Sequence, residues 1–191
     1  LGKYLIRRIE GRVLISRIVE TEAYGRNDPA SHAFRGLTKR NKVMFSNGGH
    51  LYVYFTYGMH FCANVVTGHA GRGEAVLLRA VQPIEGIDLM VRNRRLSQRR
   101  THRVDEFQPN LTNGPAKLCQ AMKIGRRENG TDLLGGKIYL LDSPRLRPSA
   151  IGSSTRIGIR VGEKTMWRFF IKGNEWVSRG NRARPYNASS R

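Results

Sequence analysis

Apolar and polar residues alternate with period two along much of this chain, which predicts a sheet-rich molecule. Residues 3–9 (K-Y-L-I-R-R-I) and 12–20 read as strands, joined at the turn signal Glu10-Gly11 into an opening hairpin. In residues 50–57 (H-L-Y-V-Y-F-T-Y), Leu51, Val53 and Phe55 share one face, and Tyr52, Tyr54 and Thr56 the other. Gly58 breaks that strand, and residues 61–67 resume it. The tip of this second hairpin carries Tyr57, Gly58, Met59 and His60, larger than the small polar residues that solvated turns prefer. Residues 74–81 (E-A-V-L-L-R-A-V) form a buried strand interrupted by Arg79. Residues 83–96 read as a helix with proline at its start, and residues 115–124 as a second helix stopped by Gly125. Residues 137–141, 156–161 and 167–172 read as strands. The expectation is one α+β domain over residues 1–191: a largely antiparallel sheet with flanking helices, and a polar tail from about residue 179, disordered beyond 185.

Charge narrows the function. The chain holds 34 Lys and Arg against 14 Asp and Glu, a net charge of +20. Such a surface repels itself unless a polyanion is the partner, so nucleic acid ranks first and an anionic membrane second. A membrane reading needs a spanning run of roughly 18 apolar residues or a basic amphipathic helix, and neither stands out. Packing proteins of the ribosomal or chromatin kind usually carry basic tails, whereas these cations are spread through a core-forming pattern. Arg92, Arg94, Arg95, Arg99, Arg100 and Arg103 form a run suited to phosphates and carrying no specificity. Cys62 and Cys119 lie in apolar contexts and read as buried free thiols in a reducing compartment. No Cys/His spacing resembles a zinc site, and no metal or other cofactor is expected. A chain starting at Leu1 reads as a trimmed one.

Candidate chemistry gathers in residues 17–34 (R-I-V-E-T-E-A-Y-G-R-N-D-P-A-S-H-A-F). Alternation puts Glu20, Glu22 and Tyr24 on one side of a strand end, with His32 closing the loop beyond. An ionised glutamate, with an ordinary pKa of about 4.3, can take a proton from a polarised water. It also repels phosphate, so an acid at a DNA-facing site is costly unless used. The plain alternative is a surface carboxylate paired with one of many arginines. If one of the two acids points into a cleft, the other must be shielded or paired. Tyr24, Tyr54 and His32 could form an aromatic slot, where stacking is worth about 1–3 kcal/mol per base, or they could be ordinary sheet packing. Tyr57 and Met59 could wedge between base pairs or fold back on the domain. Arg79 either snorkels to water, or pairs with a buried acid or a phosphate. Three function classes follow: an enzyme acting on nucleic acid, a non-catalytic (perhaps RNA-directed) binding module, and, last, a metal-dependent nuclease, which lacks a D-x-D cluster.

The ordered set V-E-T-E-A-Y, P-A-S-H, G-H-L-Y-V-Y-F-T-Y-G-M-H-F-C-A-N-V, V-L-L-R-A, G-P-A-K-L-C-Q-A and R-I-G-I resembles the alkyladenine (3-methyladenine) DNA glycosylase family, of the type found in animals and bacteria. The resemblance runs over residues 17–176. It implies a mixed α/β domain with a curved antiparallel sheet and a protruding hairpin. It also implies monofunctional hydrolysis of the N-glycosidic bond of alkylated or deaminated purines in double-stranded DNA, starting base excision repair. By that resemblance Glu22 is the catalytic base, and its water is shared with Arg79 and the main-chain carbonyl of Ile157. Tyr24, His32 and Tyr54 enclose the flipped base, and Asn64 rejects the exocyclic amine of guanine. Tyr57 intercalates, supported by Met59 and His60, and Lys117 contacts the DNA backbone. The spacing between Tyr24 and His32 is one residue shorter than the family's, so the reach of His32 is the open point. A monomer without membrane association is expected, placed in the cytoplasm with the nucleoid for a bacterial source or in the nucleus for a eukaryotic one.

Overall fold

The computed structural model describes residues 1–96 and 108–179. The expectations for Arg99, Arg100 and Arg103, and for the tail beyond 185, lie outside the described residues. The chain forms β1 (Tyr4–Ile9), β2 (Arg12–Tyr24), β3 (Leu51–Thr56), β4 (His60–Thr67), β5 (Glu74–Glu85), α1 (Ile87–Asn93), α2 (Gln108–Thr112), α3 (Pro115–Ala121), β6 (Ile138–Leu141), β7 (Ile151–Ser154) and β8 (Arg168–Ile171). The strands make one curved 8-stranded sheet in the order β3-β4-β5-β2-β1-β6, with β7 and β8 attached beside β2. Every strand pair is antiparallel. The fold is α+β with helices flanking an antiparallel sheet.

β2 is the spine. One edge pairs with β5; the other pairs with β1 through Arg17 and then with β8 from Glu20 to Glu22. Its length exceeds the expected 12–20 because β8 arrives from 148 residues further on to pair with its second half. Alternation then separates two faces. Leu5, Leu14, Val19, Leu51, Val53, Ala63 and Leu78 pack with Met90 of α1, Leu118 of α3 and Trp176 in the main core. Burying such a side chain stabilises the fold by about 1.5–3 kcal/mol. Tyr52, Val66 and Ala75 pack on the opposite side with Ala33 and Met44, under the loop that follows β2.

Two expected elements differ: one helix is shorter and one strand is absent. The helix over 83–96 shrinks to α1, because β5 continues through Pro83 to Glu85. Proline is tolerated there beside a register slip between Ile15 and Ser16, where the ladder is already interrupted. Gly86 (φ +76°) then turns the chain, and a Cβ at that position would overlap the Leu14 side chain. Residues 156–161 form an irregular loop instead of a strand, and β7 takes the place beside β8. Their apolar alternation is real, but the backbone is used elsewhere: the Ile157 amide donates to Glu22 rather than to a ladder partner. Gly158 (φ +76°) interrupts the extended run.

Candidate active site

Beside β2, β3, β4 and β5, with Pro115 of α3 in its wall, lies a cavity of about 380 Å³, within the range of small-molecule sites. Its lining includes Glu22, Tyr24, His32, Tyr54, Tyr57, Asn64, Arg79 and Ile157, all singled out in the sequence. Tyr52, Thr56, Cys62 and Leu77 complete the wall. Tyr52, Tyr54 and Thr56 line it together, as their shared parity in β3 requires.

The floor is built on a bulge. Across β2 and β5, Glu20 faces Ala80 and Thr21 faces Leu78, so Arg79 is left without an opposite residue. A bulge re-aims the extra side chain, and Arg79 turns inward. It is buried, with Nε 2.8 Å from Glu20 Oε1 and Nη1 3.1 Å from Glu22 Oε1. Of the two readings of Arg79, pairing with buried acid holds. Glu22 Oε1 also accepts the Ile157 N–H at 2.8 Å, and Oε2 accepts the Tyr24 hydroxyl at 2.9 Å. Neither Glu20 nor Glu22 has exposed surface. Burial alone would raise the Glu20 pKa; Arg79, Arg168 and Ser178 outweigh it and hold the carboxyl below its ordinary value.

The walls are aromatic. Tyr24 is raised in pKa by burial and by its neighbour Glu22, so it stays a neutral phenol. Behind it, Arg156 lies 4.8 Å from the ring centroid. Arg156 is fixed by a buried ion pair with Asp28 and by the Ala23 carbonyl. On the other wall, the His32 ring meets Tyr54 edge-on at 4.4 Å, and its Nδ1 lies 3.0 Å from the Tyr52 hydroxyl. The short loop after Tyr24 therefore still delivers His32. Asn41 explains how: its amide nitrogen donates to the carbonyls of His32 (2.8 Å) and Gly36 (2.9 Å). Partial burial and the Arg40 charge lower the His32 pKa below the ordinary histidine value. Burial pushes Tyr52 up to about 12 and raises Tyr54 as well. Asn64 is buried opposite Tyr52 and donates to its carbonyl at 3.1 Å.

The β3–β4 tip stands at the rim. Tyr57 is 80% exposed, and Met59 is 68% exposed; the tip does not fold back. Tyr57 has φ +51°, a left-handed conformation that a bulky residue rarely adopts. His60, at the start of β4, is half-buried. Met59 and His60 lie outside the cavity wall, on the far side of the hairpin. Lys117 is also outside it, on α3, with Nζ held by Asn113 (2.7 Å) and Asn110 (3.2 Å); burial and Arg94 lower its pKa.

Sequence reasoning missed Asn41, Asp28, Arg156, Arg168 and Ser178. Asp28, Arg156, Arg168 and Ser178 act through contacts distant in sequence, Asn41 through the turn of its own loop, and only the charge of Arg156, Arg168 and Asp28 hinted at a role. Both cysteines are free and buried, as expected, with Cys62 in the cavity wall. Among the described residues no helix is long and apolar enough to cross a membrane.

Comparison with known proteins agrees with this geometry. The family model for methylpurine-DNA glycosylase (MPG) matches residues 1–175. A protein of Carboxydothermus hydrogenoformans is 50% identical over 180 residues, covering 94% of this chain and 90% of its own. Relatives from Chlorobaculum tepidum and Methanoculleus marisnigri are each 45% identical across 94% of this chain, covering 82% and 90% of their own lengths. All three bear the provisional description 3-methyladenine DNA glycosylase. A match over nearly the whole chain, on a fold whose tyrosine-walled cavity closes over a buried glutamate, places this chain in the methylpurine-DNA glycosylase family.

Proposed function

We propose that this protein is a monofunctional DNA glycosylase that flips alkylated or deaminated purines out of duplex DNA and hydrolyses their N-glycosidic bond. The observation that carries this reading is Glu22. It is a carboxylate buried beneath a base-sized aromatic cavity, with Oε1 tied to Arg79 and the Ile157 amide, and Oε2 met by one hydroxyl.

The chemistry follows from that setting. A stacked base shields its glycosidic carbon, so the nucleotide must leave the helix, at a cost of a few kcal/mol that is least for damaged pairs. Tyr57, held outward at the rim, fills the vacated step. The purine enters between Tyr24 on one side and His32 with Tyr54 on the other, and a cationic alkylpurine gains cation–π attraction from the phenol rings. Asn64 meets the base edge and rejects the extra amine of guanine. Ionised Glu22 stabilises the positive charge that develops on the sugar and deprotonates the attacking water. Arg79 and the Ile157 carbonyl orient that water. Glu22 Oε2 accepts the Tyr24 hydroxyl and keeps a second acceptor position for that water. Lys117 with its asparagines holds the phosphate backbone. The chain acts as a monomer, in the compartment that holds the DNA.

A binding module has no use for Glu22 and Arg79 together beneath the aromatic slot. A two-carboxylate metal cradle does not fit either, since donors from protein occupy both Glu20 oxygens. The test is incubation with methylated duplex DNA, then heat or alkali. Strand breaks at lesion sites in the presence of EDTA are expected; intact DNA would contradict the reading.

A further inference from the structure

We propose that Glu20 is a positioning residue for base release: it holds the Arg79 guanidinium so that its nitrogens are divided between Glu20 and Glu22. This rests on Glu22 being the general base, as argued above.

Glu20 is the most heavily coordinated carboxylate of the site. Oε1 accepts from Arg79 Nε (2.8 Å), Arg168 Nε (2.7 Å) and Ser178 Oγ (2.7 Å), and Oε2 from the Ser178 amide (2.6 Å). These donors come from the β5 bulge, from β8 and from the segment after β8. As a fold lock alone, that would suffice. What points further is the geometry of Arg79. A guanidinium beside one carboxylate prefers a two-pronged contact, yet Arg79 divides its nitrogens, with Nε on Glu20 and its shortest approach to Glu22 from Nη1 to Oε1 at 3.1 Å. Glu20 takes the Nε edge, and Ser178 Oγ lies 3.5 Å from Nη2. Glu22 Oε1 is therefore the oxygen nearest the guanidinium, and Oε2 has the Tyr24 hydroxyl as its hydrogen-bond donor. Without the Glu20 charge, Arg79 can turn its fork onto Glu22 and occupy both oxygens, which removes the site for water.

Glu20 also shapes the charge around the base. The groups facing Glu22 are Glu20 and Tyr24 from β2, Arg79 from β5 and Cys62 from β4. Arg168 lies opposite on β8, and Arg156 with the Ile157 amide comes from the loop after β7. Glu20 is the acid in that set, and its charge offsets the cations around the base.

The test is Glu20→Gln, which keeps volume and loses charge. Single-turnover base release from methylated duplex DNA is followed from pH 4.5 to 9, with affinity for a non-hydrolysable lesion analogue and thermal stability beside it. Release at pH 7 should fall about 10–100-fold, in line with the cost of misplacing a catalytic group, while affinity stays within about twofold. The acid limb of the pH–rate profile should move to lower pH. A folded Glu20→Gln whose limb does not move overturns the proposal and makes Glu20 a fold lock only. If Glu20→Gln does not fold, Glu20→Asp keeps the charge but falls short of Arg79: slowed release at unchanged affinity supports the proposal, and unchanged release overturns it. Full release by Glu22→Gln would instead sink the general-base reading, whatever the Glu20 variants do.

Discussion

At the scale of single residues, the two oxygens of Glu22 have different neighbours, and that difference can be probed. Oε1 is held by Arg79 and the Ile157 amide; Oε2 has the Tyr24 hydroxyl. A donor to a carboxylate favours its charged form, so removing one favours protonation. Tyr24→Phe keeps the stacking face and should move the acid limb of base release to higher pH, opposite to Glu20→Gln; a limb that stays put would show the hydroxyl to be irrelevant. Tyr57 gives a second prediction. Its left-handed φ of +51° costs about 1–2 kcal/mol relative to glycine. Tyr57→Gly should therefore raise the melting temperature while lowering the flipped population seen with a fluorescent base analogue; unchanged flipping would remove the wedge. Parity alone made Glu20, Glu22 and Tyr24 legible in the sequence as one group. It could not rank the two acids, because what separates them is Ser178, 158 residues away, which caps one and not the other. The family resemblance pointed to Glu22, and the contacts show that Glu20 is the more fully bonded of the two.

At the scale of elements, the site is made where regular structure gives way. The β5 bulge turns Arg79 inward, and residues 155–161 leave the sheet to bring an amide to Glu22. Alternation cannot show either, since a bulge leaves the pattern of residue types intact and an alternating stretch such as 156–161 looks like a strand whether or not it pairs. The hairpins were legible because glycines and turn formers punctuate them. Gly86 is the hinge of the β5–α1 junction, and Gly86→Ala should cost roughly 1–3 kcal/mol in denaturant unfolding, through strain at φ +76° and overlap with Leu14. Glu20 ties β2, β5 and β8 together in a pH-dependent way. Its folded carboxyl lies below the 4.5 of an unperturbed glutamate, so the unfolded chain takes up the proton first. The stabilisation is complete above that value and is lost as pH falls through the folded one. The wild-type melting temperature should fall more steeply below pH 4.5 than that of Glu20→Gln; parallel curves would show that Glu20 carries no such linkage.

At the scale of the whole molecule, the proposed function gives the net charge of +20 the task of search and the cavity that of selection. If roughly six phosphates are neutralised, affinity for undamaged duplex should fall about 10³-fold between 50 and 200 mM salt, and a flat dependence would place the cations elsewhere. On the same proposal, selection belongs to the pocket walled by Tyr24, Tyr54 and His32 beside Glu22. The most direct measurement is therefore single-turnover base release from methylated duplex DNA by wild type and Glu22→Gln, with binding of the same DNA measured alongside. The account predicts that Glu22→Gln binds the lesion and loses release by at least about 10²-fold, the scale of general-base catalysis. Release at the wild-type rate by that variant would contradict it.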